Sequence, residues 1–272
     1  MTSVNTNSGA LTALASLRSL ATRVEVNSKQ LQTGYRVADL MDDSAVFAVA
    51  QGVRSGLKAH VSVQSSLQQG LGLVDVTLAG MRNISETLVD LRATLIKAAD
   101  GSLSDAQRDT YKADAQRLHA QILASTLAAT YNGRNQMLTS STDVQFVADI
   151  SGRTITVGTY GINPHWSDLG TAIDAIADQD TATAAYNLVD PLEAATHATI
   201  AEFAATRRQF ELQMRFNEDL VDAVKKALGA LVDADVAGAA ALSQSLQVQE
   251  QLAISALSIA NRQPNAIVRL YR

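Results

Sequence analysis

Between Val46 and Ala98 sixteen positions recur at strictly alternating intervals of three and four: Val46, Val49, Val53, Gly56, His60, Val63, Leu67, Gly70, Val74, Thr77, Met81, Ile84, Leu88, Leu91, Leu95 and Ala98. That spacing keeps one stripe on one face of an α-helix, whereas a strand repeats every second residue. No proline interrupts it, and at 1.5 Å per residue the helix runs roughly 80 Å. A stripe of that length needs long helical partners. Gly56 and Gly70 stand in it as points of close backbone approach or of weakness.

The partners are in the chain. Ser104-Asp105-Ala106-Gln107 reads as a capping box and starts a third helix, with Tyr111, Ala115, Leu118, Ile122, Ser125 and Ala129 on one face and Tyr131-Asn132-Gly133 at its end. Asp190-Pro191-Leu192-Glu193 reads as another start, with Asp190 as N-cap. Ile200, Phe203, Arg207, Phe210, Met214, Asn217, Val221, Val224, Leu228 and Leu231 then alternate by three and four again. Arg207 and Asn217 in that stripe suit register-setting polar groups. Between these helices, Asp143–Ile150 and Arg153–Tyr160 are β-leaning runs around Ser151-Gly152 and predict a hairpin near 143–160; Ser167–Ala177 predicts a short helix.

Both ends are helical and nearly uncharged. Arg18 is the only charge from Thr2 to Thr22, and Ala10, Leu14, Leu17, Ala21, Val24, Ser28 and Leu31 form a seam, widened by Leu11 and Leu20. The helix is expected from Gly9 to Thr33, closed by Gly34. From Val236 to Asn261 the only charge is Glu250, and Leu242, Leu246, Val248, Leu252, Ile254, Leu257 and Ile259 spread around the helix, which requires burial on more than one side. Gln244, Gln247, Gln249 and Gln251 exclude a membrane span. Asp235 is expected to cap this helix and Pro264 to end it. Paired terminal helices would still expose apolar faces, which points to a self-assembling subunit. The fold class is mainly α: a long antiparallel coiled-coil-like helical rod with paired N- and C-terminal helices and a small β-hairpin at its tip. The expected domains are 1–34, 35–232 and 233–272.

Composition narrows the function. Hydrophobic residues make up 47% but aromatics only 4%, and there are three prolines in 272 residues, a balance suited to close helix packing. A net charge of −5 is no nucleic-acid footprint, and the lack of cysteine excludes disulfides and thiolate chemistry. His60, His119, His165 and His197 share no metal-ligand spacing, and His60 reads as structural. No phosphate-cradling glycine motif occurs. Asp42-Asp43 reads as a helix cap plus a salt bridge to Arg36 rather than a metal or paired-acid site. No catalytic residue, cofactor or metal is expected. If exported, the chain is expected to travel without a cleaved signal peptide.

The chain resembles bacterial flagellin over nearly its whole length. Thr33-Gly34-Tyr35-Arg36-Val37 with Asp42-Asp43-Ser44-Ala45 is similar to the family's T-G-x-R-I … D-D-A-A signature; Tyr131-Asn132-Gly133 to its F-N-G; Arg207-Arg208-Gln209-Phe210 with Asn217 to its Q-N-R-F … N-L; and Val232-Asp233-Ala234-Asp235 to its I-D-A-D. Leu257 to Pro264, with Leu270-Tyr271-Arg272, resembles the closing L-A-x-A-N-x-x-P … L-L-R. Asp39, Leu40 and Met41 depart from the usual Ser-Ala-Lys run, and Val46 from a small residue. Arg92 matches the helix face that the vertebrate Toll-like receptor for flagellin reads, but Ala93 and Thr94 stand where that pattern has Glu and Leu, so weak detection is expected.

The resemblance implies a short-form flagellin without large outer domains. It would leave the cell through the flagellar type III export channel, meet an export chaperone, junction proteins and a filament cap, and polymerise with itself into an extracellular filament; neither nucleic acid nor membrane insertion is implied. The residues expected to carry self-assembly are Leu14, Leu17, Val24 and Leu31; Arg36, Asp42 and Asp43; and Leu246, Leu252, Leu257, Ile259, Asn261, Leu270 and Arg272. Ser140, Ser141 and Thr142 form a candidate glycan loop. The alternatives are a hook–filament junction protein of the same terminal-helix plan and, further off, a secreted helical adhesin.

Overall fold

The computed structural model describes residues 6–161 and 165–270, with the backbone alone over 263–270. The elements in order are α1 (Ser8–Thr33), α2 (Ser44–Ala98), α3 (Asp105–Ala128), β1 (Val144–Val147), β2 (Thr154–Val157), α4 (His165–Asp174), α5 (Gln179–Asn187), α6 (Val189–Val232) and α7 (Val236–Leu270). The protein is mainly α, with a single two-stranded antiparallel sheet among the described residues. It divides into two compact units. One joins the residues up to Leu57 to those from Asp222 onward; the other is Lys58–Val221.

In the Lys58–Val221 unit the long stripe of α2 behaves as its spacing requires. From His60 to Ala98 every one of its positions is buried, Leu67, Val74, Leu88, Leu91 and Leu95 fully. Helix α6 runs antiparallel to it, as paired contacts show: His60 with Asn217, Asp75 with Arg207, Ser85 with His197 and Arg92 with Glu193. The stripe is continuous because partners cover it along its whole length. Phe203 and Phe210 enter from α6, and Ala115 and Ile122 from α3. His60 is the structural residue its place in the stripe suggests. Its Nδ1 lies 2.8 Å from Oδ1 of Asn217, whose Nδ2 donates to the His60 carbonyl at 3.0 Å, so two buried polar side chains satisfy each other.

The ends of these helices are closed chemically. Arg108 is buried and its guanidinium donates to the carbonyls of Ala98 and Asp100 at the C-terminus of α2, where backbone oxygens lack helical partners. After α3, Tyr131 and Arg134 exchange backbone hydrogen bonds of 2.8 and 2.9 Å around Asn132 (φ 49°) and Gly133 (φ 75°). Both central residues are left-handed, the conformation Asn-Gly tolerates best. In the hairpin Val144 pairs with Val157 and Val147 with Thr154. Asp149 organises the turn, accepting from Ser151 N at 2.8 Å and Arg153 N at 3.1 Å; hydrogen bonds from Ser151 and then Arg153 push its carboxyl pKa down.

Two expectations are corrected in this unit. Asp190 does not cap α6: the helix starts one residue earlier, and Asp190 sits in its first turn, 2.8 Å from Arg92. It is not needed as a cap because α5, absent from the sequence reading, runs almost directly into α6. Helix α5 is capped by Asp178, which accepts from Thr181 N at 2.9 Å while Thr181 Oγ1 accepts from Asp178 N at 3.0 Å. The short helix foreseen at Ser167–Ala177 is α4, set two to three residues earlier.

The two stripe glycines differ. A Cβ on Gly70 would lie 2.5 Å from Cζ of Phe210, whose ring is fully buried, whereas a Cβ on Gly56 meets nothing within 4 Å. Gly70→Ala is therefore expected to destabilise the chain by about 1–3 kcal/mol through overpacking. Gly56→Ala is expected to stabilise it by about 0.5–1 kcal/mol through helix propensity. Thermal unfolding of both variants checks this; shifts of the same sign would contradict the assignment of Gly70 as the close approach.

Candidate assembly interface

The other unit is built on α1 packed against α7. Two asparagines show that they run antiparallel. Asn7 Nδ2 donates to the Ala260 carbonyl at 2.7 Å, and Asn27 Nδ2 to the Ala239 carbonyl at 3.0 Å. Helix α1 is closed at both ends: Asn7 Oδ1 accepts from Ala10 N at 3.0 Å, and Gly34, at φ 71°, donates to the Gln30 carbonyl at 2.9 Å.

The α1 seam differs in phase from the sequence reading. Ala10, Leu17, Val24 and Leu31 do face inward, half-buried, but the positions between them are Ala13, Leu20 and Asn27 rather than Leu14, Ala21 and Ser28. Leu20 is 7% and Asn27 4% exposed, while Ala21 and Ser28 are exposed and Leu14 is half-buried. Both series keep the same alternation. The two differ by a Leu-for-Ala exchange in each direction, Leu14 for Ala13 and Ala21 for Leu20; the observed phase keeps cover over both leucines, Leu14 in part and Leu20 fully. Asn27 then comes inward with Leu20. Its Nδ2 is satisfied by α7, while its buried Oδ1 has no hydrogen-bond partner.

On α7 the inward stripe is Ala239, Ser243, Leu246, Ala253, Leu257 and Ala260. Leu246 is buried and Leu257 half-buried, whereas Leu252 is 64% and Ile259 71% exposed and Asn261 is exposed. Val248 and Ile254 are exposed as well. The expected self-assembly residues of α7 thus divide between a seam inside the chain and an uncovered outer stripe, where Val248 joins Leu252 and Ile259. Beside the seam lies an open groove of about 540 Å³, with Ala15, Ser19, Leu20 and Arg23 on α1 and Gln249 and Ala253 on α7. Arg272 is outside the described residues, as is the side chain of Leu270. Helix α7 does not end at Pro264 as expected but continues to Leu270; the lost hydrogen bond is replaced from α1 by Asn7, at the carbonyl of Ala260.

The connector after α1 is tied to the one before α7. Arg36 N donates to the Val232 carbonyl at 2.7 Å, and Ala234 N to the Gly34 carbonyl at 2.9 Å. Val37, Ala50 and Val232 form a small core beneath. The expected salt bridge from Arg36 to Asp42 or Asp43 is not made. Arg36 Nη2 instead donates to the Leu231 carbonyl at 2.6 Å, at the C-terminus of α6 where carbonyls are unpaired and the dipole favours a cation. Asp43 is the cap of α2, accepting from Ala45 N and Val46 N at 3.1 and 3.0 Å. Asp42 accepts from Ala38 N and Asp39 N at 2.9 and 3.0 Å, and Lys29 Nζ bridges Asp39 and Asp42 at 2.6 Å each. In the candidate glycan loop Ser140 and Thr142 are exposed, while the Ser141 hydroxyl donates to the Asn135 carbonyl.

Lys29 holds the pKa of both carboxyls below the ordinary value, and Asp39 and then Asp42 raise that of Lys29. The carboxyls are depressed on folding, so their contribution is present above about pH 4 and is lost as pH falls through the folded values. Lys29 is raised, so its contribution is present below about pH 10 and lost on further alkalinisation. Lys29→Met is expected to move the Asp42 titration upward toward the ordinary carboxyl range, read by NMR of the side-chain carboxyl. An unmoved midpoint would show that the backbone amides alone set it.

No group of three or more His, Asp or Glu side chains able to hold a metal occurs among the described residues, and no described helix is long and apolar enough to cross a membrane. Known proteins identify the family. The profile described as "Bacterial flagellin N-terminal helical region" matches residues 4–142, and "Bacterial flagellin C-terminal helical region" matches 186–271. A flagellin of Brucella melitensis is 31% identical, with 100% of each chain covered. Flagellin FljO of Caulobacter vibrioides is 30% identical over 100% of this chain and 99% of its own. In fold, the chain is similar to a flagellar hook-associated protein of Vibrio parahaemolyticus, with a TM-score of 0.64 over 71% of this chain and 100% of that one at 16% identity. With both terminal regions matched and relatives aligned end to end, the chain belongs to the bacterial flagellin family.

Proposed function

We infer that this chain is a structural subunit of the bacterial flagellar filament, and that it polymerises through the faces of α1 and α7 that the pair leaves uncovered. The observation that carries this reading is the outer stripe of α7. Val248, Leu252 and Ile259 are 56%, 64% and 71% exposed on a helix whose opposite side already has its partner. Leu11 and Val26 of α1 are 58% and 48% exposed. Apolar surface of this extent on both terminal helices is stabilised when a second copy removes it from water. A contact between unlike surfaces of successive copies leaves an end free for the next, as an open helical polymer requires.

The finer elements follow from the same reading. Leu17, Leu20, Val24, Leu31, Leu246 and Leu257 hold α1 and α7 together, with Leu14 at the margin of the seam; Arg36, Asp42 and Asp43 fix the connector from which α1 departs; Leu252, Ile259, Asn261, Leu270 and Arg272 serve contacts between copies. The terminal helices order fully only on assembly, since part of the burial they need comes from neighbours. Residues 1–34 and 233–272 form the inner wall of the filament and 35–232 the layer around it. Export proceeds through the flagellar type III channel without a cleaved signal, with a chaperone, junction proteins and a distal cap as partners. Where glycan is attached, Ser140 and Thr142 are the acceptors, their hydroxyls being the accessible ones.

Seeded polymerisation tests the subunit reading. The intact chain is expected to extend sheared filament fragments into long filaments under negative-stain electron microscopy. Leu252→Asp with Ile259→Asp is expected to abolish growth while the thermal unfolding of the Lys58–Val221 core is unchanged. Growth by the double variant at the intact rate would remove the outer stripe from the interface. Leu246→Ala, inside the pair, is expected to cost about 2–4 kcal/mol. Receptor reporter cells are expected to respond weakly to the chain, because Ala93 and Thr94 replace the Glu and Leu of the recognised pattern; an ordinary dose–response would refute this.

A further inference from the structure

Helix α7 contains a proline, and the opposite helix carries a residue that answers it. Pro264 lies within α7 and has no backbone N–H, so the carbonyl of Ala260, four residues earlier, loses its intrahelical donor. That carbonyl accepts from Asn7 Nδ2 at 2.7 Å. The other end of the same amide, Oδ1, accepts from Ala10 N at 3.0 Å and caps α1. One side chain thus satisfies two backbone groups that helix geometry leaves over: a free N–H at the start of α1 and a free C=O within α7. The helices are close here, since a Cβ on Gly9 would lie 3.9 Å from that of Ala260.

We propose that Asn7 and Pro264 are a matched pair that sets the axial register of α1 on α7. Pro264 distinguishes one carbonyl by withholding its donor, and Asn7 reads that carbonyl. Most carbonyls in the interior of α7 already accept from the N–H four residues on, so a second donor adds less there. A slip of one turn strands the Ala260 oxygen and sets the Asn7 amide against an acceptor already filled, a double loss. Asn7 is a positioning residue. The inference concerns how the chain pairs its own terminal helices and stands apart from the polymer reading.

The chain has no cysteine, so a single engineered pair reads the register directly. Gly9→Cys with Ala260→Cys places two Cβ atoms at the separation a disulfide needs. Cross-linking under mild oxidation is measured in the full-length chain in four backgrounds. Asn7→Ser keeps an oxygen that caps Ala10 but is too short to reach Ala260. With Pro264 present, Asn7→Ser is expected to slow cross-linking about fivefold, the factor that one net hydrogen bond represents. With Pro264→Ala, which returns an N–H to the Ala260 carbonyl, Asn7→Ser is expected to slow it less than about twofold. Equal slowing in both backgrounds, or none in either, overturns the proposal and leaves Asn7 a plain N-cap. Seeded growth is read separately on the same chains. The expected cross-linking pattern without filament growth sinks the subunit reading and leaves the matched pair standing; growth with flat cross-linking does the reverse.

Discussion

Everything in the terminal unit follows from an imbalance between apolar surface and cover. Helices α1 and α7 are apolar around more of their circumference than one partner helix can bury. Their shared seam hides Leu20, Leu246 and Ala239, and leaves Val248, Leu252, Ile254 and Ile259 on the outside. A chain meant to stay single would place charge there, but Glu250 is the only charged residue between Val236 and Asn261. The Lys58–Val221 unit also leaves Val89, Leu127, Leu212 and Phe216 exposed, but its main apolar stripe is covered. Its long stripe is met by α3 and α6 and forms one continuous core with the hairpin and the short helices α4 and α5.

That difference explains what could be read from the sequence. Where a stripe is covered along its length by large side chains, periodicity alone identifies it, and every position foreseen on α2 from His60 to Ala98 is buried. Near the start of the same helix the pattern slips: Val49 is 57% exposed and Ala50 fully buried, because the facing surface is now the small core around Val37 and Val232. In α1 two seams fit the spacing equally, and size does not separate them, since one trades Leu14 for Ala13 as it trades Ala21 for Leu20. What marks the observed phase is Asn27, whose amide reaches a carbonyl 212 residues away. Helix α5 escaped because Thr181 fills the capping-box place that Glu or Gln usually marks.

Polar contacts were legible as residue types but not as partners. The cap at Asp43 and the stop at Gly34 are local and follow from neighbouring residues. Arg36 was assigned to the nearest carboxylates, yet it goes to a backbone carbonyl 195 residues away, and Lys29, ten residues before Asp39, takes the acids instead. Charge proximity in sequence misleads here because a helix end offers an acceptor that no side-chain motif advertises. Pro264 misled for a related reason. Proline ends a helix unless something else meets the carbonyl it abandons, and Asn7 stands 253 residues away.

The two units also solve register differently. Along α2 and α6 the interlocking groups are Leu, Ile, Met and Phe, and a slip of one turn would collide Phe210 with a residue other than Gly70. Shape sets most of the register there, and the buried His60–Asn217 pair adds to it. Along α1 and α7 the inward positions include Ala10, Ala13, Ala239, Ser243, Ala253 and Ala260. Such small side chains make shallow knobs, and sliding one helix past the other changes the buried apolar area little. Directional groups must then discriminate, and the seam has an asparagine at each end, each donating to one chosen carbonyl of α7. The buried, unpaired Oδ1 of Asn27 is a cost of about 1–3 kcal/mol that an apolar seam would not carry. Its retention makes sense where a smooth interface must still have one register.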